Sequence, residues 1–231
     1  MAMSRDVHDM FAAIAGSYDR ANGVLSLGVH RRWRARTVKE SGAVAGDAVL
    51  DCATGTGDLA LEFKRAVGVE GRVVGTDFCA DMLAHAPAKA ERMGMAVEWE
   101  VQDAMALSYD DDSFDIASIA FGIRNVDDPV QALRSMARVV RPGGRVLVLE
   151  FGTPLWWMRP LFRFYSAVVI PLVGGLVSGN RDAYRYLTRT SAAFPTGVDF
   201  LALMDASGGY SRRYFLPLTG GIAYLYVGVV R

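Results

Sequence analysis

The chain has 231 residues, with 25 basic and 25 acidic side chains and a formal net charge of zero. That length suits one domain with a sizeable core, and the even charge balance argues against a nucleic-acid partner. Two cysteines, Cys52 and Cys79, make no disulfide framework, and the scattered His8, His30 and His85 offer no zinc spacing, so no metal is expected.

In chain order, residues 5–40 read as helical, with Val7, Met10, Phe11 and Ile14 at helical spacing. The basic run "RRWRARTVK" at 31–39 reads as a solvated helix face, with contact to anionic lipid as the alternative. A first strand, "AVLDCAT" (48–54), leads through Gly-Thr-Gly into the helical "DLALEFKRAV". A second strand, "RVVGTDF" (72–78), precedes a helical segment that Pro87 is placed to interrupt. "VEWEVQD" (97–103) and "FDIASIAFG" (114–122) make the third and fourth strands. In "DPVQALRSMARVV", Asp128 is an N-cap candidate and Pro129 suits the first helical position; "RPGG" is expected to stop this helix. "RVLVLEF" (145–151) is the fifth strand. A mostly helical insert follows to about residue 206, and "SRRYFLPL" with "IAYLYVGVV" reads as a closing antiparallel hairpin through Thr219-Gly220-Gly221. This alternation predicts a parallel sheet covered by helices.

No signal-peptide core opens the chain, and "SAVVIPLVGGLV" (166–177) is too short and too broken by Pro and Gly to span a bilayer. A cytoplasmic protein is expected, with one greasy segment to account for.

Ligands of parallel α/β sheets bind outside the carboxyl ends of the strands. In "VLDCATGTGDLAL", a strand ends in Asp51, and Gly55 and Gly57 let backbone approach a ligand at a helix N-terminus. Asp51 suits an ammonium and the helix end an anion, so the turn suits a zwitterionic amino-acid group. Asp77, beside Phe78, ends the second strand and can accept ribose hydroxyls; Asp103, followed by Ala104, can accept from an adenine amino group. Together they trace S-adenosylmethionine across three strand ends. The rival is a dinucleotide site, since Gly55-Thr56-Gly57-Asp58-Leu59-Ala60 also fits G-x-G-x-x-A. Against it, Asp51 and Asp58 bracket the turn and are expected to repel a pyrophosphate. A non-catalytic cofactor-binding scaffold is a third reading. The fourth strand then delivers Arg124 and Asn125 to the same ligand-facing end.

"VLDCATGTGDLA", "GTDFCADML", "FGIRNVDDPVQALRSMARVVRPGGRVLVLEF", "DAYRYLTRTSAAFP", "LTGGIAYLYVG" and "MFAAIAGSYDRANGVLSLGVHRRWR" resemble the ubiquinone/menaquinone biosynthesis C-methyltransferases over about residues 7–230. The resemblance implies the class I S-adenosylmethionine-dependent methyltransferase fold: α/β, Rossmann-like, a mostly parallel seven-stranded sheet with a C-terminal antiparallel hairpin. One domain is expected over 1–231: a helical lid (1–45), a cofactor core (46–154), a helical substrate insert (155–206) and the closing hairpin (207–231). The implied reaction is methylation of a ring carbon of a prenylated quinol, most directly demethylmenaquinol to menaquinol, with the benzoquinol of the ubiquinone pathway as a second substrate.

By position, Thr56, Asp77, Asp103 and Ala104 match cofactor contacts of the family. Ala120 stands where relatives often carry a contacting serine and keeps at most a backbone contact; Ala53 stands where many methyltransferases have a first glycine. Arg124 is expected beside the quinol oxygen, stabilising its anion, with Asn125 orienting the ring and Tyr18 closing over the site. The alternative for Arg124 is a salt bridge to Asp127 or Asp128. The aromatic-rich segment 155–177 is expected to meet the polyprenyl tail or a membrane surface, and a homodimer is an open expectation.

Overall fold

The computed structural model describes residues 23, 26, 28–166, 190, 191 and 193–231. Tyr18 and most of the greasy segment lie outside the described residues.

Helix α1 (Val29–Ser41) turns its Trp33 and Thr37 inward, and β1 (Ala48–Cys52) follows. Helix α2 (Asp58–Val67) leads to β2 (Arg72–Asp77). The next helical segment is split into α3 (Ala80–Leu83) and α4 (Ala86–Arg92), with Pro87 in the first turn of the second piece. There the missing N–H costs no helical hydrogen bond. Strands β3 (Glu98–Val101) and β4 (Phe114–Ala120) precede α5 (Pro129–Val139), whose N-cap Asp128 accepts from the Gln131 N–H at 3.0 Å, as expected.

The helix stops just before "RPGG", as expected. Helix α5 ends at Val139, and β5 (Val140–Phe151) starts at once, carrying Arg141–Gly144 as a bulge where its pairing with β4 shifts register between Phe114 and Ile116. A Cβ on Gly144 would lie 2.5 Å from the Asp115 carbonyl oxygen, so the bulge needs a glycine there.

Helix α6 (Arg159–Phe164) opens the insert, and α7 (Val198–Ser207) closes it. Strands β6 (Tyr210–Leu218) and β7 (Ala223–Val230) form the expected hairpin about a 3-10 turn at Thr219–Gly221.

The seven strands run in the order β3-β2-β1-β4-β5-β7-β6, with β7 antiparallel to both its neighbours. Alternating strand residues feed two cores, as the two-residue period of a strand requires. Leu50, Ala117, Ile119 and Tyr226 pack with Leu133, Met136, Phe200 and Met204 on one face. Val49, Ile116, Leu225 and Val227 pack with Trp33, Leu59 and Phe63 on the other. The strand order reverses between β1 and β4, which places the ligand crevice of such a sheet between the turns after those two strands.

Candidate active site

The turn after β1 is tightly coiled. Ala53, Gly55 and Gly57 all have positive φ (47°, 59° and 84°), and the Thr54 N–H donates to the Thr76 carbonyl at 2.9 Å. A Cβ on Gly57 would lie 2.5 Å from the Trp99 ring, so this glycine serves both conformation and packing. Asp77 braces the turn from the next strand: its carboxylate accepts from the Gly55 N–H at 2.7 Å and the Cys79 N–H at 2.8 Å.

Asp51 lies under the turn, buried, and accepts from the Ser118 and Thr54 hydroxyls, each at 2.6 Å. Burial pushes its carboxyl up to about 6, against those hydrogen bonds. Asp103 stands past the end of β3 and accepts from the Met105 N–H at 2.8 Å. Ala104 and Thr56 are buried, and Phe78 is exposed beside Asp77. The order β3-β2-β1 therefore lines up Asp103, Asp77 and Asp51 on adjoining strand ends, about 5 Å apart per strand.

Asp58 behaves differently from the sequence expectation. At the N-terminus of α2 it is ion-paired to Arg34 of α1 at 2.8 Å and Lys89 of α4 at 2.7 Å, and Lys89 also donates to Thr56 Oγ1 at 3.0 Å. Burial raises the Asp58 carboxyl, but the two cations outweigh it and leave it below its usual value. Its charge is thus compensated inside the protein, and repulsion by Asp58 does not distinguish a pyrophosphate from an amino acid. The strand order with an antiparallel β7 makes that distinction instead.

The turn after β4 carries the second half of the site. Phe121 adopts a left-handed φ of 57°, unusual for a bulky side chain, with its N–H donating to the Leu149 carbonyl at 2.7 Å. The Phe121 carbonyl accepts from Arg124 Nη1 at 2.8 Å, and Asn125 Nδ2 reaches the same oxygen at 3.5 Å. The Phe121 ring packs on Phe151 at 4.5 Å and on Trp33 at 6.1 Å between centroids. Both polar side chains thus pin a strained turn beside the switch point.

Arg124 does not pair with Asp127 or Asp128. Its Nη1 is ion-paired to Glu150 Oε1, near the end of β5, and the two side chains are 2% and 1% exposed. Burial raises the Glu150 carboxyl, while Arg124 draws it down. Glu150 escaped the sequence reading, although an acid closing an apolar strand is the signal that marked Asp51 and Asp77. Ala120 ends β4 and is partly buried, its methyl supplying no donor.

These residues fit a cationic adenosyl donor: three carboxylates on adjoining strand ends and a glycine turn that admits backbone close to the ligand. Solved methyltransferases share the fold. An S-adenosylmethionine-dependent enzyme of Aquifex aeolicus superposes with TM-score 0.63 at 16% identity, over 86% of this chain and 89% of that one. One of Thermotoga maritima gives TM-score 0.64 at 18% identity, over 96% and 99%. The fold and site thus define a class I S-adenosylmethionine-dependent methyltransferase.

Residues 1–230 match the model of the ubiE/COQ5 methyltransferase family. The ubiquinone/menaquinone biosynthesis C-methyltransferase of Bdellovibrio bacteriovorus is 55% identical over 228 residues, covering 97% of this chain and 96% of that protein. The demethylmenaquinone methyltransferase of Thermus thermophilus is 48% identical over 221 residues, covering 95% and 99%. This chain belongs to the ubiE/COQ5 methyltransferase family.

Proposed function

We propose that the chain methylates a ring carbon of a prenylated quinol, with demethylmenaquinol as its first substrate. The supporting observation is the pairing of two turns across the switch point: the glycine turn with its strand-end acids on one side, and Arg124 with Asn125 on the other. Bound S-adenosylmethionine supplies an electrophilic methyl group on a sulfonium.

The chain's own residues do the rest. Asp77 and Asp103 hold the ribose and base, Gly55, Thr56 and Gly57 line the amino-acid portion, and Asp51 supplies negative charge beneath it. Phe78 covers the nucleoside, and Ala104 and Ala120 offer it backbone. A neutral quinol carbon is a weak nucleophile, and removal of a hydroxyl proton drives electron density onto the ring. Arg124 serves as the cation for that oxygen anion rather than as the base, since a guanidinium has no free acceptor for a proton. Asn125 orients the ring.

Trp156, Trp157 and Leu161 lie exposed around α6, 79%, 53% and 63% accessible, with Arg159 and Arg163 in the same helix. Aromatic rings beside basic side chains suit a membrane interface, where a polyprenyl substrate resides. No described helix is long and apolar enough to cross a membrane.

Purified protein given S-adenosylmethionine with a reduced naphthoquinol or a reduced benzoquinol, with products weighed by mass spectrometry, tests the reading. A naphthoquinol one methyl heavier supports it; methylation of neither ring overturns it.

A further inference from the structure

We infer that Glu150 takes up the quinol's hydroxyl proton while Arg124 passes from Glu150 to the oxygen left behind. The step rests on the reading of Arg124 as the cation beside the quinol oxygen.

The geometry of the pair carries it. The ion pair uses one atom of each partner, Arg124 Nη1 and Glu150 Oε1. Glu150 Oε1 also accepts from the Phe151 N–H at 2.8 Å. Among the described residues, Arg124 Nε and Glu150 Oε2 are buried and make no hydrogen bond, and the Arg124 backbone N–H lies close enough to the carboxylate to favour its charge. Native interiors rarely leave such atoms uncommitted, and a neighbouring donor and acceptor suit a hydroxyl group or a bridging water.

Charge balance supplies the second argument. A quinol that lost its proton to bulk water would leave an extra negative charge in a buried site, which is costly. Keeping the proton on Glu150 leaves the local sum unchanged. Before the step there are a guanidinium, a carboxylate and a neutral hydroxyl; after it, a guanidinium, a neutral carboxyl and an oxyanion. The O–H bond breaks, its electron pair stays on oxygen, and the proton bonds to Oε2, carried by one water. Once the ring carbon has gained its methyl and shed its own proton to water, Oε2 returns its proton to the oxygen.

The other groups facing Glu150 do not compete for this role. Tyr224 stands opposite it on β7, its hydroxyl donating to the Thr153 carbonyl at 3.1 Å. Tyr226 accepts from the Gly197 N–H at 2.8 Å, and burial holds both phenols in their neutral form. The raised Glu150 carboxyl is a better proton acceptor than an exposed one.

The test uses the full chain and a ring that cannot react: a 1-naphthol already methylated at the neighbouring carbon, whose absorbance reports ionisation. Bound to the wild type near neutral pH, its ionisation is expected to release no proton to the buffer, because Glu150 keeps it; bound to Glu150→Gln, each ionised ring is expected to release one. Turnover of Glu150→Gln is expected to fall by about 100-fold at neutral pH. It recovers with a ring-halogenated, more acidic quinol. One proton released per ionised ring in both proteins, or a loss of turnover that no quinol acidity relieves, overturns the step. If Glu150→Gln does not fold, the wild type decides. Its loss of turnover at low pH must fall at the same pH for quinols of different acidity, and a limb that tracks the quinol overturns the step. Full turnover by Arg124→Met overturns the Arg124 reading itself, whatever Glu150→Gln does.

Discussion

A Cβ built on Gly122 would lie 2.5 Å from the Ala53 methyl, so the turns after β1 and β4 touch at these two residues. Ala53 holds φ at 47° where a glycine would sit without strain. Gly122 has an ordinary φ of −110°, so only space restricts it. Gly122→Ala is expected to cost about 1–3 kcal/mol through overpacking. Ala53→Gly in the same chain should recover most of that loss. Thermal melts of both singles and the double variant check this; additive losses would refute the contact.

Asp51 links stability to pH. Its carboxyl titrates at about 6 in the folded protein, against 3.8 for an unperturbed aspartate. The folded state therefore binds the proton more tightly than the unfolded one. The stability this contributes is full below the unfolded value and lost as pH rises through about 6. Asp51→Asn is expected to raise the stability of the cofactor-free protein at pH 8, by at most about 3 kcal/mol. It should also weaken S-adenosylmethionine binding. In the wild type, binding of this cation near pH 6 should release a fraction of a proton, measurable by calorimetry in buffers of different ionisation enthalpy.

Arg124 and Glu150 allow stability and turnover to be separated. Arg124→Met leaves a buried carboxylate without its cation and is expected to cost about 3–5 kcal/mol. Changing both residues, Arg124→Met with Glu150→Leu, should restore most of that stability, while turnover stays lost in both proteins. A double variant that methylates at the wild-type rate would end the catalytic reading of this pair.

Gly57 is held by its φ of 84° and by the Trp99 ring. Gly57→Ala is expected to destabilise the protein by about 2 kcal/mol or more and to abolish cofactor binding. Adding Trp99→Leu should return part of the stability, since it removes the tightest clash and leaves the backbone strain and the 3.0 Å approach to the Ala86 methyl. Denaturant melts and equilibrium dialysis measure the two effects.

Trp156 and Trp157 bear on the membrane. Replacing both by Ser is expected to reduce flotation with anionic liposomes several-fold, with turnover of a short-chain quinol unchanged. Identical flotation would count against peripheral contact.

Much of the fold is legible along the chain. Continuous runs of branched aliphatic and aromatic residues in "VLVLEF" and "AYLYVGVV" mark strands, Asp128-Pro129 marks the start of α5, and Pro87 marks the break between α3 and α4. These signals are local, because backbone geometry and capping act within a few residues. Asp51, Asp77 and the glycines between them are legible for the same reason. "RPGG" marks the end of α5, but only the partner strand shows that it lies in a bulge of β5.

The partners of the charged side chains lie beyond such reading. Nothing near Arg124 in the sequence points to Glu150, 26 residues on, nor does anything near Asp58 point to Arg34 and Lys89. Periodicity, strand-end acids and turn glycines determine by themselves that this chain builds a mostly parallel sheet with a cofactor turn. Tertiary structure alone decides which charges neutralise one another and which remain for chemistry. Those pairings depend on strand order and register, which are settled by the packing of the whole core and by no short stretch of it.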